Sequence, residues 1–414
     1  MKKYYAEIIT IGNEVLAGQT VNTNATFISQ KLMDNGLQVY WVTTIRDTHE
    51  EIISSLKTAS KRADVIIVTG GLGPTPDDIT KNSVCHFFNT RLITDKTVLQ
   101  DVKEFVESRG FKLTDLNRGQ ALVPESAKIL RNPIGTAPAL MLEKDNKPYF
   151  FLPGVPREMK YLLTEHVVKI LTSRLELPKV HTKMLRTTSI PEAKLYEKLQ
   201  DVVDKYPQFE LGFYPRYFGV DIRFRVQTED TQILKEFENY CKEVKKIVAK
   251  YVYSSRPIEL EEKLGELLKE RGLTLSTAES FTGGLMGDMI TNVPGCSEYY
   301  LGGAVTYSNE SKMQLLAVQQ STLENYGAVS ENTALEMVRG IQNVYRSNCA
   351  IATTGIAGPG GASAEKPVGL CYIAARLNDK EMVKKFNFGT ERRINKLRGA
   401  VAGMEMLRRL LLGI

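Results

Sequence analysis

The sequence predicts an α/β protein made of three successive units, and three observations carry that prediction. Up to about residue 172, short apolar runs alternate with helical patterns, as in a mostly parallel sheet with helices on its faces. From 173 to 255 the texture changes to that of a small α+β unit. A break at Ser254-Ser255-Arg256-Pro257 then opens a last α/β unit that runs to residue 414.

In the first unit (1–172), Ala6 to Ile11, Leu37 to Thr43, Val65 to Thr69 and Tyr149 to Leu152 read as strands. Between them, Asn24 to Asn35, Glu50 to Arg62 and Asp77 to Phe88 read as helices. In the second (173–255), a helix from Pro191 to Tyr206 precedes alternating strands around Phe209 to Phe213 and Val220 to Val226, and a helix runs from Thr231 to Lys250. The third (256–414) begins with an amphipathic helix, Leu260 to Arg271, followed by the apolar run Leu273 to Leu275.

Composition excludes several classes. With 43% apolar and 25% charged residues, the chain has the balance of a soluble globular protein. The five cysteines are scattered and never form Cys-x-x-Cys, and the four histidines show no metal-ligand spacing. Glu7, Asn13 and Glu14 interrupt the N-terminal apolar stretch well short of a signal or membrane segment, so a cytoplasmic location without membrane contact is expected. The net charge of +6 is spread along the chain with no basic run of five, which does not demand a nucleic-acid partner.

Val65 to Thr69 runs into Gly70-Gly71-Leu72-Gly73-Pro74-Thr75-Pro76-Asp77-Asp78, a strand, a glycine-rich turn and a helix start. Gly70, Gly71 and Gly73 let backbone approach a phosphate closely, with a helix N-terminus behind. No Gly-Lys-Ser/Thr follows, so this is not a Walker loop. Two readings stand side by side. Thr75 suits an N-cap, Pro76 the first helical position, and Asp77 and Asp78 the helix dipole. Equally, Asp77 and Asp78, joined by Asp47, would suit a divalent cation that bridges to phosphate oxygens.

In the last unit, Thr277-Ala278-Glu279-Ser280-Phe281-Thr282-Gly283-Gly284 puts a hydroxyl where an apolar run stops and a helical pattern begins. Amides at such a junction can hold an oxygen that becomes negative when a carbonyl is attacked. Tyr307 and Lys312 lie further along, and a serine, a phenol and an amine together suggest amide or ester hydrolysis without a metal. No histidine occurs in this unit, so a Ser-His-Asp triad cannot be assembled within it. Each residue also has an ordinary alternative: Ser280 as a helix cap, Tyr307 as core, Lys312 as a solvated helix residue.

Taken in order, Gly12-Asn13-Glu14, Gly18-Gln19 with Asn22-Thr23-Asn24, Gly70 to Thr80, Gly135 to Pro138 and Leu152 to Glu158 resemble the molybdopterin-binding-like domain of the competence/damage-inducible protein A (CinA) family. Asn13 and Ala139 stand where that family usually has Asp and Gly. The resemblance implies a three-layer domain that hydrolyses ADP-ribose to AMP and ribose 5-phosphate with a divalent cation, carried onto Asp77, Asp78 and the Gly70 to Gly73 turn. Residues 173–255 correspond to the family's KH-like unit. They contain no Gly-x-x-Gly clamp, and their 16 basic against 12 acidic residues between Thr172 and Arg256 favour a packing spacer over a nucleic-acid groove.

Residues 256–414 resemble the family's nicotinamide-mononucleotide deamidase domain, through Thr277 to Gly284, Val293 to Ser297, Gly302 to Asn309 with Lys312, Gly327 to Ser330, and Thr353 to Gly361 with Lys366 to Gly369. The implied reaction converts nicotinamide mononucleotide to nicotinate mononucleotide and ammonia, with no cofactor. Ser280 is the expected nucleophile, Lys312 its base, Tyr307 a relay to the departing ammonia, and the Thr282, Gly283 and Gly284 amides the oxyanion donors. Glu279 is expected to orient either the lysine or the ribose. Asn309, Thr353, Gly355, Gly358, Gly360 and Arg392 are further expected substrate contacts, the Gly355 to Gly361 loop at the phosphate. A homodimer is expected. Two alternatives are a molybdopterin-handling adenylyltransferase and a non-catalytic interaction protein.

Overall fold

A computed structural model describes residues 3–75 and 78–414. The chain forms two compact units, one comprising residues up to His181 with Val226–Leu234, the other Thr182–Arg225 with Lys235–Ile414. Among the described residues no helix is long and apolar enough to cross a membrane.

The first unit is three-layered. Its six-stranded sheet has the spatial order Gln38–Ile45, Tyr5–Ile11, Val65–Thr69, Lys147–Leu152, Ala139–Lys144, Lys128–Leu130. The first four strands are parallel to their neighbours and the last two pair antiparallel. Successive side chains go to opposite faces, so Val65 and Ile67 join Ile8, Phe150 and Leu152 in one core, while Ile66 and Val68 join Ile9, Tyr149 and Phe151 in the other. That two-sided burial explains why Val65 to Val68 is a continuous apolar run.

One sequence expectation in this unit is corrected. The helix expected from Asp77 with Thr75 as its cap starts at Thr80, and Ile79 occupies the cap position. The Asp78 carboxylate accepts from the Thr75 amide at 2.9 Å and the Thr75 hydroxyl at 2.5 Å, so it is spent on Thr75 and not on the helix amides; Asp77 lies outside the described residues.

The middle sheet has the order Glu210–Arg216, Gly219–Gln227, Val180–Thr187, Val252–Ser254, with helices Glu192–Lys205 and Thr231–Ile247. Within the second compact unit it is tied to the last domain by charge: Arg186 and Arg216 reach the Glu259 carboxylate at 2.9 and 2.8 Å. Glu259 is itself the N-cap residue of the helix Leu260–Glu270.

The last domain carries a five-stranded sheet in the order Tyr300–Val305, Leu275–Glu279, Cys349–Gly355, Leu370–Leu377, Lys380–Asn387. The first three strands run parallel and the last two antiparallel. Leu275, Ile351 and Ile373 pack with the helices Leu260–Glu270 and Arg392–Leu412, whereas Ala278, Ala350, Ala352 and Ala374 pack with the helix Glu331–Tyr345. The helix Asn309–Leu316 lies directly against Gly340, where a Cβ would collide with the Leu316 carbonyl. Gly340 thereby lets the helix that bears Lys312 pack closely on the helix Glu331–Tyr345.

Candidate active site

Three parallel strands end together in the last domain. Glu279 is opposite Val305 on one side and Thr353 on the other, so Ser280, Thr306 and Thr353 to Gly355 meet at one edge of the sheet. Ligand sites in open α/β sheets gather at these carboxyl ends. The Ser280 amide continues the ladder to the Thr353 carbonyl at 3.0 Å, and the Thr306 amide reaches the Glu279 carbonyl at 2.8 Å.

The chain then turns sharply. Gly283 and Gly284 have φ of 59° and 89°, left-handed values that side chains with a Cβ resist. The Gly283 amide is spent on the Ser280 carbonyl at 3.1 Å. Among the described residues the Gly284 amide has no protein acceptor and is partly exposed, whereas Thr282 is fully buried, so Gly284 is the donor this turn can offer.

The expected helix start is displaced. The strand continues through Glu279, and the helix Leu285–Thr291 begins only after the turn. Its N-terminal amides are taken by the Glu279 carboxylate, which accepts from Met286 at 3.0 Å and Gly287 at 2.8 Å. Glu279, 2% exposed, thus neutralises the helix terminus. It does not contact Lys312, and the free helix end behind Ser280 read from the sequence is absent.

Ser280 is 8% exposed and its Oγ accepts from Lys312 Nζ at 3.2 Å. Lys312 is 1% exposed and also donates to the Thr306 carbonyl at 2.8 Å and the Tyr307 carbonyl at 3.3 Å. Burial lowers its pKa to about 8. A neutral amine has two N–H donors and one lone pair. Its hydrogens match the two carbonyls, and its lone pair is left for the Ser280 hydroxyl proton. Ser308 caps the supporting helix by accepting from the Ser311 amide at 3.1 Å, and Asn309 is exposed at its first residue.

The other expected contacts divide into groups. Tyr307 is 61% exposed, and its hydroxyl takes Arg392 Nη2 at 3.0 Å; only its main-chain carbonyl meets Lys312. Arg392 Nη1 donates to the Gly358 carbonyl at 2.6 Å, so Tyr307, Arg392 and Gly358 form one outer wall. Thr282 and Thr353 are fully buried and hydrogen-bond each other at 2.7 Å, which pins the turn to the strand end instead of presenting either hydroxyl to a ligand. Gly355 is packed against Cys371 inside the sheet, while Gly360 faces open space. Sequence reasoning missed Lys396, whose Nζ is 3.3 Å from where a Gly283 Cβ would stand. The signal was available: Lys396 is four residues after Arg392 on one helix, and such residues share a face.

In the first unit, Gly70 and Gly71 have φ of 112° and 64° and are closed in by the Ile11 carbonyl and the Thr80 hydroxyl. Asp47 Oδ1 borders Gly71, 3.6 Å from the Cβ position, and Asp78 borders Gly73. Asp77 lies outside the described residues. Among the described residues no three carboxylates, imidazoles or thiols converge on one point. Beside this loop Lys81, 7% exposed, donates to the main-chain and side-chain oxygens of Gln120 at 3.2 Å each. Burial lowers its pKa to about 8, against the opposing pull of Asp78.

A three-layer α/β unit, a small α+β unit and an α/β layer with a serine–lysine pair at its strand ends define a multidomain α/β protein of a distinct architecture. Its segments match three family models in the same order: a probable molybdopterin binding domain over residues 7–173, the damage-inducible protein CinA KH domain over 182–254, and the CinA C-terminal domain over 258–411. A competence-damage inducible relative from Caldicellulosiruptor saccharolyticus is 38% identical over 98% of both chains. One from Clostridium beijerinckii is 39% identical over 98% of this chain and 99% of its own. A solved competence/damage inducible protein from Agrobacterium tumefaciens is 39% identical, covering 38% of this chain and 99% of its own, with a TM-score of 0.36. The chain belongs to the CinA competence/damage-inducible family.

Proposed function

We propose that the last domain hydrolyses the carboxamide of nicotinamide mononucleotide, giving nicotinate mononucleotide and ammonia. The observation that carries this reading is the buried contact of Lys312 Nζ with Ser280 Oγ at 3.2 Å. Ser280 Oγ attacks the carboxamide carbon while its proton passes to the neutral Lys312 amine. The carbonyl oxygen becomes an oxyanion beside the Gly284 amide. Lys312 returns the proton to the amide nitrogen as the C–N bond breaks, ammonia leaves, and water then hydrolyses the acyl-serine. Arg392 and Lys396 supply positive charge for the phosphate, and Tyr307 orients Arg392. The test is ammonia release from nicotinamide mononucleotide, and Ser280→Ala must abolish it.

A second reading concerns the first unit, favoured by the glycine loop bordered by Asp47 and Asp78. There the reaction is hydrolysis of ADP-ribose to AMP and ribose 5-phosphate. Carboxylate oxygens suit a hard divalent cation, which Asp47 and Asp78 would hold together with Asp77. Such a cation supplies charge neutralisation at the phosphates.

A further inference from the structure

Two of the four histidines, 37 residues apart in sequence, meet in the fold. His49 Nε2 and His86 Nδ1 are 3.3 Å apart, and the rings are inclined at 65° instead of stacked. His49 opens the helix His49–Arg62 and His86 is in the last turn of the helix Thr80–Phe88. The tautomer of His49 is set by its other nitrogen. Ser83 Oγ donates to the Ile79 carbonyl at 3.1 Å, so it accepts from His49 Nδ1 at 2.9 Å. His49 Nε2 therefore carries a lone pair aimed toward His86.

We propose that His49 and His86 form a binding site for a tetrahedral first-row transition ion of the zinc type. With Zn–N bonds of about 2.0–2.1 Å, two ligands of a tetrahedral ion stand roughly 3.3–3.4 Å apart, which matches the observed span. The ion takes the lone pair of His49 Nε2 and, with His86 in its Nε2–H form, that of His86 Nδ1. Imidazole nitrogen favours zinc, cobalt and copper over magnesium or calcium. Ser83 is the outer partner that orients a metal-bound histidine, and it is fully buried. Among the described residues no third histidine, cysteine or carboxylate joins the pair, so the remaining positions are open to water or a small ligand. The ion would staple together the two helices, one of which starts with Thr80, whose hydroxyl meets the Gly70 carbonyl at 3.3 Å.

Calorimetric titration of the full chain with zinc, and visible absorption with cobalt, test the proposal. Wild type should bind with a tetrahedral cobalt spectrum. His86→Ala, an exposed helix position that leaves the fold intact, should lose this binding at least tenfold; Ser83→Ala should weaken it by about tenfold; Asp78→Ala should retain it. Zinc should raise the melting temperature of wild type and leave that of His86→Ala unchanged. Unchanged zinc affinity in both His86→Ala and His49→Ala, or no binding by wild type at micromolar zinc, overturns the proposal.

Discussion

Lys312 Nζ contacts Ser280 Oγ across 32 residues of sequence, with the lysine 1% exposed and held by two main-chain carbonyls instead of a carboxylate. Burial weakens the lysine's hold on its proton, and a pH dependence follows. Lysine burial sets a pKa of about 8, so kcat/KM for ammonia release should rise with pH and level off above about 8. Lys312→Met should cost about 10²–10⁴-fold and remove the ascending limb. A profile unchanged in that variant would assign the base elsewhere.

The same group makes a stability prediction whose sign is fixed by the lowered pKa. Between pH 8 and 10.5 the unfolded chain holds a proton on Lys312 that the folded chain has released, so wild-type stability gains as pH rises through this window. Denaturant unfolding should show Lys312→Met most favourable relative to wild type below pH 8. The difference should shift toward wild type by pH 10.5. A pH-independent difference would mean the lysine is not desolvated.

Glu279 is predicted to act through the turn and not on the substrate. Its carboxylate caps the helix Leu285–Thr291 through the Met286 and Gly287 amides. Glu279→Ala should destabilise the domain by about 1–2 kcal/mol and lower kcat, whereas Glu279→Gln, which keeps one acceptor, should lose less of both. Equal losses in the two variants would require a chemical role for the negative charge.

The Thr282–Thr353 hydrogen bond at 2.7 Å should behave as a coupled pair. Either Thr→Val change strands a buried hydroxyl, at about 1–3 kcal/mol. The double substitution should cost less than the two single ones combined. Additive losses in thermal unfolding would show that the two hydroxyls act separately.

How much of this was legible in sequence depended on where polar groups are satisfied. Val65–Thr69 is readable because four β-branched apolar residues in a row, ending at a pair of glycines, have few alternatives. The strand Leu275–Glu279 was cut short at Leu275 because Ser276, Thr277 and Glu279 look like surface residues. All three are buried, Ser276 and Thr277 bonding Ser347 and the Tyr300 hydroxyl at 2.7 Å each and Glu279 the helix amides. The strand Val180–Thr187 lacks a strong apolar alternation, and Val252–Ser254 spans only three residues, so neither has a pattern that sequence can show. The Ser280, Tyr307 and Lys312 set was visible as a family motif. That the Tyr307 hydroxyl turns to Arg392, 85 residues away, and that Lys396 stands over Gly283, depends on how the helix Arg392–Leu412 docks, which no local pattern encodes.

The first unit predicts a metal requirement independent of the second. ADP-ribose cleavage should stop on chelation and in Asp78→Ala while ammonia release continues unchanged. Chelator-resistant cleavage would remove the role given to Asp47, Asp77 and Asp78.

The most direct measurement is ammonia release from purified protein incubated with nicotinamide mononucleotide, run beside Ser280→Ala and Lys312→Met. The account predicts steady release by wild type, none above background from Ser280→Ala and a residual trace from Lys312→Met. Wild-type rates in Ser280→Ala would contradict it.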